Sequence, residues 1–160
     1  ISTGFFTGTD CAAKWIRLSS LKCIGFYGTY TYTHTKVNNF NFEGRENEKD
    51  LSLPGSPEHT ANASLYFEKK GFNVRLSYNY ASSFIDEMGE VAALDRFYYA
   101  VNYMVLKASY TFGKKIKTTF YADATNLLNQ PLRYYQGVKD RTMQSEHYGV
   151  KINAGVKVNF

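Results

Sequence analysis

No stretch of this 160-residue chain approaches the roughly 18 consecutive apolar residues that a membrane-spanning helix requires. With 2 cysteines and 3 histidines it is neither a disulfide-framework miniprotein nor a Cys/His zinc module. Nucleophile elbow, phosphate-binding glycine loop and pocketed carboxylate pair are all missing, so we expect no enzyme, no catalytic residue, no cofactor and no metal. Nor does a basic stretch followed by an apolar one precede the body of the chain, which opens on Ile1 and reads as an excised piece. What is present in quantity is aromatic: 17% of residues, with 14 Tyr and 12 Phe, against 21% charged. That content excludes disorder. Mean hydropathy is nevertheless only −0.39, so greasy and polar residues must be sorted in space. The net charge of +5 permits an anionic partner without demanding one.

The sorting has a period of two, which identifies strands. From Ile24 to Tyr32, Ile24, Phe26, Tyr30 and Tyr32 fall on one side and Tyr27, Thr29 and Thr31 on the other. Similar alternation runs through 61–68, 72–80, 104–112, 116–125 and 148–160, the last being the cleanest. These runs exceed the usual 5–6 residues of a soluble strand and suit the roughly 9–11 of a tilted strand crossing a bilayer. Connections alternate as well. Glu68–Gly71 and Gly113–Lys115 are tight, whereas Val37–Glu58, Ser82–Arg96 and Leu127–Glu146 are long. Short periplasmic turns opposite long extracellular loops are the habit of transmembrane barrels.

With the tight turns placed in the periplasm, aromatics sort by depth. Tyr30, Tyr32, Tyr78, Tyr80 and Tyr148 form an outer belt, and Phe26, Phe67, Phe72, Tyr110, Phe112 and Phe160 an inner one, with aliphatic residues between. Rings with one wet and one greasy end settle at headgroup level, so both belts face lipid. Lys107, Lys117, Lys151, Lys157, Arg75 and Asp123 fall on the other face, toward a wet lumen. The fold class expected is therefore all-β: an antiparallel transmembrane β-barrel, of which about six consecutive C-terminal strands are present, since six strands cannot close a pore-sized barrel.

Four stretches carry a resemblance. They are Gly28-Thr29-Tyr30-Thr31-Tyr32-Thr33, the run from Leu53-Pro54-Gly55 through Tyr78-Asn79-Tyr80, Asn126-Leu127-Leu128-Asn129-Gln130-Pro131, and Asn153-x-Gly155-x-x-Val158-x-Phe160. In this order and spacing, residues 21–160 resemble the C-terminal strands of the 22-stranded barrel of TonB-dependent outer-membrane receptors. Residues 1–20 fit poorly and are read as a strand remnant. Ala81 stands where the family pattern has a basic residue.

The resemblance implies a Gram-negative outer-membrane transporter that imports a scarce nutrient, an iron-siderophore, cobalamin or an oligosaccharide. It also implies contact with outer-membrane lipid and coupling to the TonB complex through an N-terminal part and plug that this segment lacks. Asn153, Gly155, Val158 and Phe160 are similar to the signal read by the barrel assembly machinery. An unpaired terminal strand with alternating apolar side chains suits recognition by strand addition.

Ligand contact is expected in the third long loop, where Arg133, Tyr134, Tyr135, Gln136, Arg141 and Gln144 cluster. Stacking aromatics suit a sugar and arginines an anionic chelate, while loop-to-loop packing accounts for the same residues equally well. Two other readings stay open: a complete small outer-membrane barrel of structural or adhesive role, and a soluble ligand-binding β-barrel. Lys70-Gly71-Phe72-Asn73-Val74 mimics half of an RNA-recognition motif, but the helices that fold needs are missing, so no nucleic acid is expected. Cys11 and Cys23 are either a disulfide or two small apolar residues. His34, His59 and His147 read as solvated, as does the acidic group Asp86, Glu87 and Glu90.

Overall fold

The computed structural model describes residues 4–17 as backbone, and residues 23–37, 45 and 51–160 in full apart from the side chain at 37. Part of the N-terminal segment (1–3 and 18–22) and most of the first long loop lie outside the described residues. Seven long strands form one antiparallel sheet: β1 (Gly4–Arg17), β2 (Ile24–Val37), β3 (His59–Lys69), β4 (Phe72–Ala81), β7 (Val101–Phe112), β8 (Lys117–Thr125) and β11 (Lys151–Asn159). They lie side by side in chain order, with β1 and β11 at the two edges. The sheet is thus the open, meandering wall expected, with one strand more than the alternation indicated. The addition is β1, in the segment read as a strand remnant, and it is hydrogen-bonded to β2 from Gly4↔Val37 to Arg17↔Gly25.

Register converts the alternation into two continuous faces. Phe26, Leu65, Leu76, Leu106, Ala124 and Ile152 are successive cross-strand partners. One residue along, so are Gly25, Tyr66, Arg75, Lys107, Asp123 and Asn153, which lie on the opposite face because side chains alternate along a strand. Lys107 has Arg75 on one side and Asp123 on the other, so the acid offsets the like-charge pairing. The greasy face is bare: Leu65 is 50% and Ile152 73% exposed. Among the described residues the buried hydrophobics are Ile85 and Tyr135, neither of them in the wall. A single-layered wall has no core of its own, and a surface of this kind is stable only against lipid.

Several of the aromatics read as belts meet in ring contacts, while Phe26 lies level with Leu65 in the middle of the wall. Phe112 stacks on Tyr110 at 5.9 Å and on Phe120 at 5.8 Å, and Phe67 meets Phe72 edge-on at 6.1 Å. At the other end the Tyr30 hydroxyl is hydrogen-bonded to His59 Nδ1 at 2.7 Å, and Tyr32 lies 5.1 Å from the His59 ring. The last strand is shorter than the alternation indicated. The last strand begins at Lys151 rather than at 148, after Gly149 at φ 73°, and Tyr148 is instead hydrogen-bonded to Glu146 with its ring 5.7 Å from Lys151 Nζ.

Two glycines on the wet face have a specific task. A Cβ at Gly25 would collide with the Tyr66 ring, and one at Gly155 would lie 2.5 Å from the Tyr121 hydroxyl. Each tyrosine thus lies across the glycine opposite it, a way of covering backbone that glycine leaves bare. The Gly155 of the C-terminal motif is therefore also a packing requirement.

The two disulfide candidates are separated by register. Cys11 is level with Tyr30, seven residues along β2 from Cys23, which is about 23 Å of strand. A disulfide needs Cα atoms within roughly 7 Å, so Cys23 is a free thiol.

The β3–β4 turn is two residues, Lys70 at φ 49° and Gly71 at φ 83°, the all-positive geometry that matches strand twist. Its Gly71 carbonyl accepts Thr111 N–H at 2.8 Å, and a Cβ there would collide with the Thr111 carbonyl oxygen. Gly71→Ala is expected to destabilise the full-length barrel by about 2 kcal/mol or more, since left-handed strain adds to a clash with backbone. Guanidinium unfolding in lipid vesicles measures this.

Candidate functional site: the outer loop sheet and the cleft beneath it

The second and third long loops do not stay separate. They contribute β5 (Phe84–Glu87), β6 (Arg96–Tyr98), β9 (Leu132–Gln136) and β10 (Thr142–Glu146) to a second sheet, ordered β10-β9-β6-β5. The joining ladder, Arg96↔Gln136, Phe97↔Tyr135 and Tyr98↔Tyr134, links residues some 40 positions apart in sequence. A 3-10 turn, Ala92–Leu94, leads into it.

One face of this sheet packs inward. Ile85 pairs with Phe97 and Phe97 with Tyr135; the last two rings stack at 5.0 Å and are nearly parallel, at 5°. Tyr135 is 5% exposed and receives Tyr99 edge-on at 5.8 Å. Beside this cluster Arg45 and Asp95 form a buried two-point ion pair, Nη1 to Oδ1 at 2.5 Å and Nη2 to Oδ2 at 3.0 Å, with side chains 1% and 4% exposed. Arg45 also donates to Gly89 O at 3.2 Å, and Asp95 Oδ1 accepts Gly89 N–H at 2.9 Å. Loop one is thereby tied to loop two. A second tie is Gly55 N–H to Ile85 O at 2.8 Å, made from the Pro54-Gly55 turn, whose Gly55 has φ 77°.

The other face carries an aromatic row, Phe84, Tyr98 and Tyr134, with Phe84–Tyr98 at 5.4 Å and Tyr98–Tyr134 edge-on at 5.0 Å. Arg96 lies 5.4 Å over Tyr134, held by Asp86 at 2.6 Å and Glu87 at 3.0 Å. The hydrogen bond to Asp86 raises the guanidinium's pKa further, and burial raises that of the Tyr98 phenol, so at neutral pH the pair presents a fixed cation and an uncharged hydroxyl. Between this row and the wall is a cleft of about 200 Å³ lined by Tyr98, Tyr103, Gln130, Leu132, Tyr148 and Lys151, among others.

Asn126 sets the floor of that cleft. Left-handed at φ 57° and buried, it donates from Nδ2 to Gln130 O and Gly149 O, both at 3.1 Å, and accepts Gln130 N–H at 2.8 Å. Asn129, at φ 50°, closes the turn onto Asn126 O. The asparagines of Asn126-Leu127-Leu128-Asn129 thus end β8 and fasten loop three to the start of β11.

The six residues singled out in loop three are divided between surfaces. Arg133 caps the Tyr99 ring at 4.7 Å and donates to Thr142 Oγ1 at 2.9 Å, on the side of buried Tyr135. Tyr134 belongs to the aromatic row, and Gln136 donates to Leu94 O at 3.3 Å. Gln144 donates to Glu146 Oε1 at 2.5 Å, Tyr148 donates to Glu146 Oε2, and together they hold that carboxyl below its usual range. Arg141 is exposed in the β9–β10 turn. Loop packing thus occupies Arg133 and Tyr135, while Tyr134 remains on the cleft-side row with partners that sequence reasoning missed: Phe84, Arg96 and Tyr98. The detectable trace was Arg96-Phe97-Tyr98-Tyr99, an aromatic run inside a loop. His34 and His59 sit among the outer-belt tyrosines, and His147 follows β10 exposed.

No curated protein and no solved structure gives a significant match to the chain. A family model does, that of the TonB dependent receptor-like beta-barrel, over residues 7–127. The match begins inside β1 and ends two residues after β8, so it spans six of the seven wall strands. On that match, and on a wall with one greasy and one wet face, the chain belongs to the TonB-dependent receptor β-barrel family.

Proposed function

We propose that these strands form the C-terminal wall of an outer-membrane transporter that captures a scarce nutrient at its outer loops. The nutrient is an iron-siderophore, cobalamin or an oligosaccharide, passed inward along the wet face when a plug, supplied by another part of the protein, is displaced through the TonB complex. The family match over six wall strands supports this most directly. The aromatic row with Arg96 above the cleft adds a surface that suits planar or sugar-like ligands by stacking and anionic oxygens by charge. Ligand contact is assigned to Tyr134, Gln136, Arg141 and Gln144 together with Tyr98 and Arg96, with Arg133 and Tyr135 holding the loop sheet in shape. Asn153, Gly155, Val158 and Phe160 serve recognition by the assembly machinery.

Calorimetric titration of the full-length receptor with iron chelates, cobalamin and oligosaccharides tests the reading. Saturable binding of one class is expected, weakened about tenfold or more by Tyr134→Ala, as for an aromatic anchor in a binding patch. Absence of binding for all three classes, or unchanged affinity in the variant, would overturn it.

A further inference from the structure

At the short-turn end of the lipid-facing surface the wall is grooved. Ala108, Ala122 and Ala154 are direct cross-strand partners on β7, β8 and β11, and three methyl groups in a row leave a trough. Its sides are larger: Phe72, Tyr110, Phe120 and Val156 occupy the next cross-strand row toward the turns. Together they line a groove of about 590 Å³ that is almost wholly apolar. Six residues separate Ala108 from Lys114 in the turn, about 20 Å along a strand. At a tilt near 40° that is about 15 Å of depth, half of the ~30 Å hydrocarbon core. The alanine floor therefore lies near the bilayer centre, beyond the aromatic row as seen from the turns, at a depth that one acyl chain anchored at the membrane surface reaches.

The rim at the groove's mouth is basic. Segments 68–73 and 112–118 contain five lysines, at 69, 70, 114, 115 and 117, against one acid, Glu68. Glu68 and Lys117 belong to the lumen-facing parity of their strands, which leaves Lys69 at the end of β3 on the lipid-facing parity and Lys70, Lys114 and Lys115 exposed in the turns themselves. Each lysine near a lipid surface contributes about 1 kcal/mol of attraction to anionic headgroups. We propose that this groove and rim together form a binding site for one anionic phospholipid of the periplasmic leaflet, its acyl chain on the alanine floor and its phosphate on the turn lysines.

Native mass spectrometry of the full-length protein, offered phosphatidylglycerol and phosphatidylcholine of identical chains, tests the site. The wild type is expected to retain phosphatidylglycerol roughly tenfold over phosphatidylcholine. The double variant Lys114→Glu, Lys115→Glu should lose that preference while still holding some of both lipids. Ala122→Phe, which fills the floor, should lower retention of both. Equal retention of the two lipids by the wild type, or an unchanged preference in the lysine variant, overturns the headgroup assignment. Unaltered retention by Ala122→Phe overturns the groove. Should Ala122→Phe fail to assemble, the lysine variant, altered only in exposed turn residues, decides alone.

Discussion

Asp95→Ala is expected to free the outer loops from one another while leaving the wall intact, at a cost to the loop assembly of about 3–5 kcal/mol. Removing one partner of a buried ion pair is costly, because Arg45, with its side chain 1% exposed, loses the carboxylate that faces its charge in two hydrogen bonds. Asp95 also accepts the Gly89 amide, so the variant loses the clamp on its own loop as well. Hydrogen exchange on the full-length protein should show Phe84–Glu87, Arg96–Tyr98 and Leu132–Gln136 deprotected together while β3, β4, β7 and β8 remain protected. Replacing both partners with apolar residues of similar size should restore much of the loss, because no charge is then left unpaired. Protection unchanged in Asp95→Ala would mean that the ring stack of Phe97 and Tyr135 suffices to hold the loops.

Leu65→Arg is the second large effect, expected to destabilise the folded barrel by about 2–4 kcal/mol in a bilayer. Leu65 lies mid-wall between Phe26 and Leu76 and is half exposed on the greasy face. One residue along its cross-strand neighbours, at nearly the same depth but on the other face, Arg75 already carries a full charge. A charge at that depth is therefore tolerated inward and costly outward. Adding one at exposed, lumen-facing Asn79 as Asn79→Lys should change stability by no more than about 1 kcal/mol. Equal penalties for the two variants in vesicle refolding would mean that the greasy face does not meet lipid.

Most of the wall was legible in the sequence, because tyrosine, phenylalanine and leucine alternating with serine, asparagine and lysine over ten residues can separate greasy from wet only on a strand. β1 escaped for a physical reason. Thr7-Gly8-Thr9-Asp10 interrupts any greasy–wet alternation within Gly4–Ala13, and the register with β2 then shifts between Ala13 and Ile16, so a bulge exchanges the two parities for the last residues of the strand. The loop sheet escaped because β6 is three residues long and its partner lies some 40 residues away; three residues cannot display a period. Clustering in sequence suggested that Arg133 through Gln136 act together, yet neighbours on a strand face opposite ways, and the sheet sends Arg133 and Tyr135 to one side and Tyr134 and Gln136 to the other. Arg45 left no trace, being one charge in a polar loop whose partner is set by the fold alone. Gly155 was read for its recognition value, and its service to Tyr121 became evident only from register.

The shared loop sheet bears on how such receptors can be recombined. Since β6 and β9 come from different loops and complete each other's hydrogen bonding, loop three grafted alone onto a related barrel would arrive with an unsatisfied strand edge. Loops two and three, with Arg45 from loop one, are therefore one structural unit, and chimaeras cut between β6 and β9 should be the ones that fail to fold.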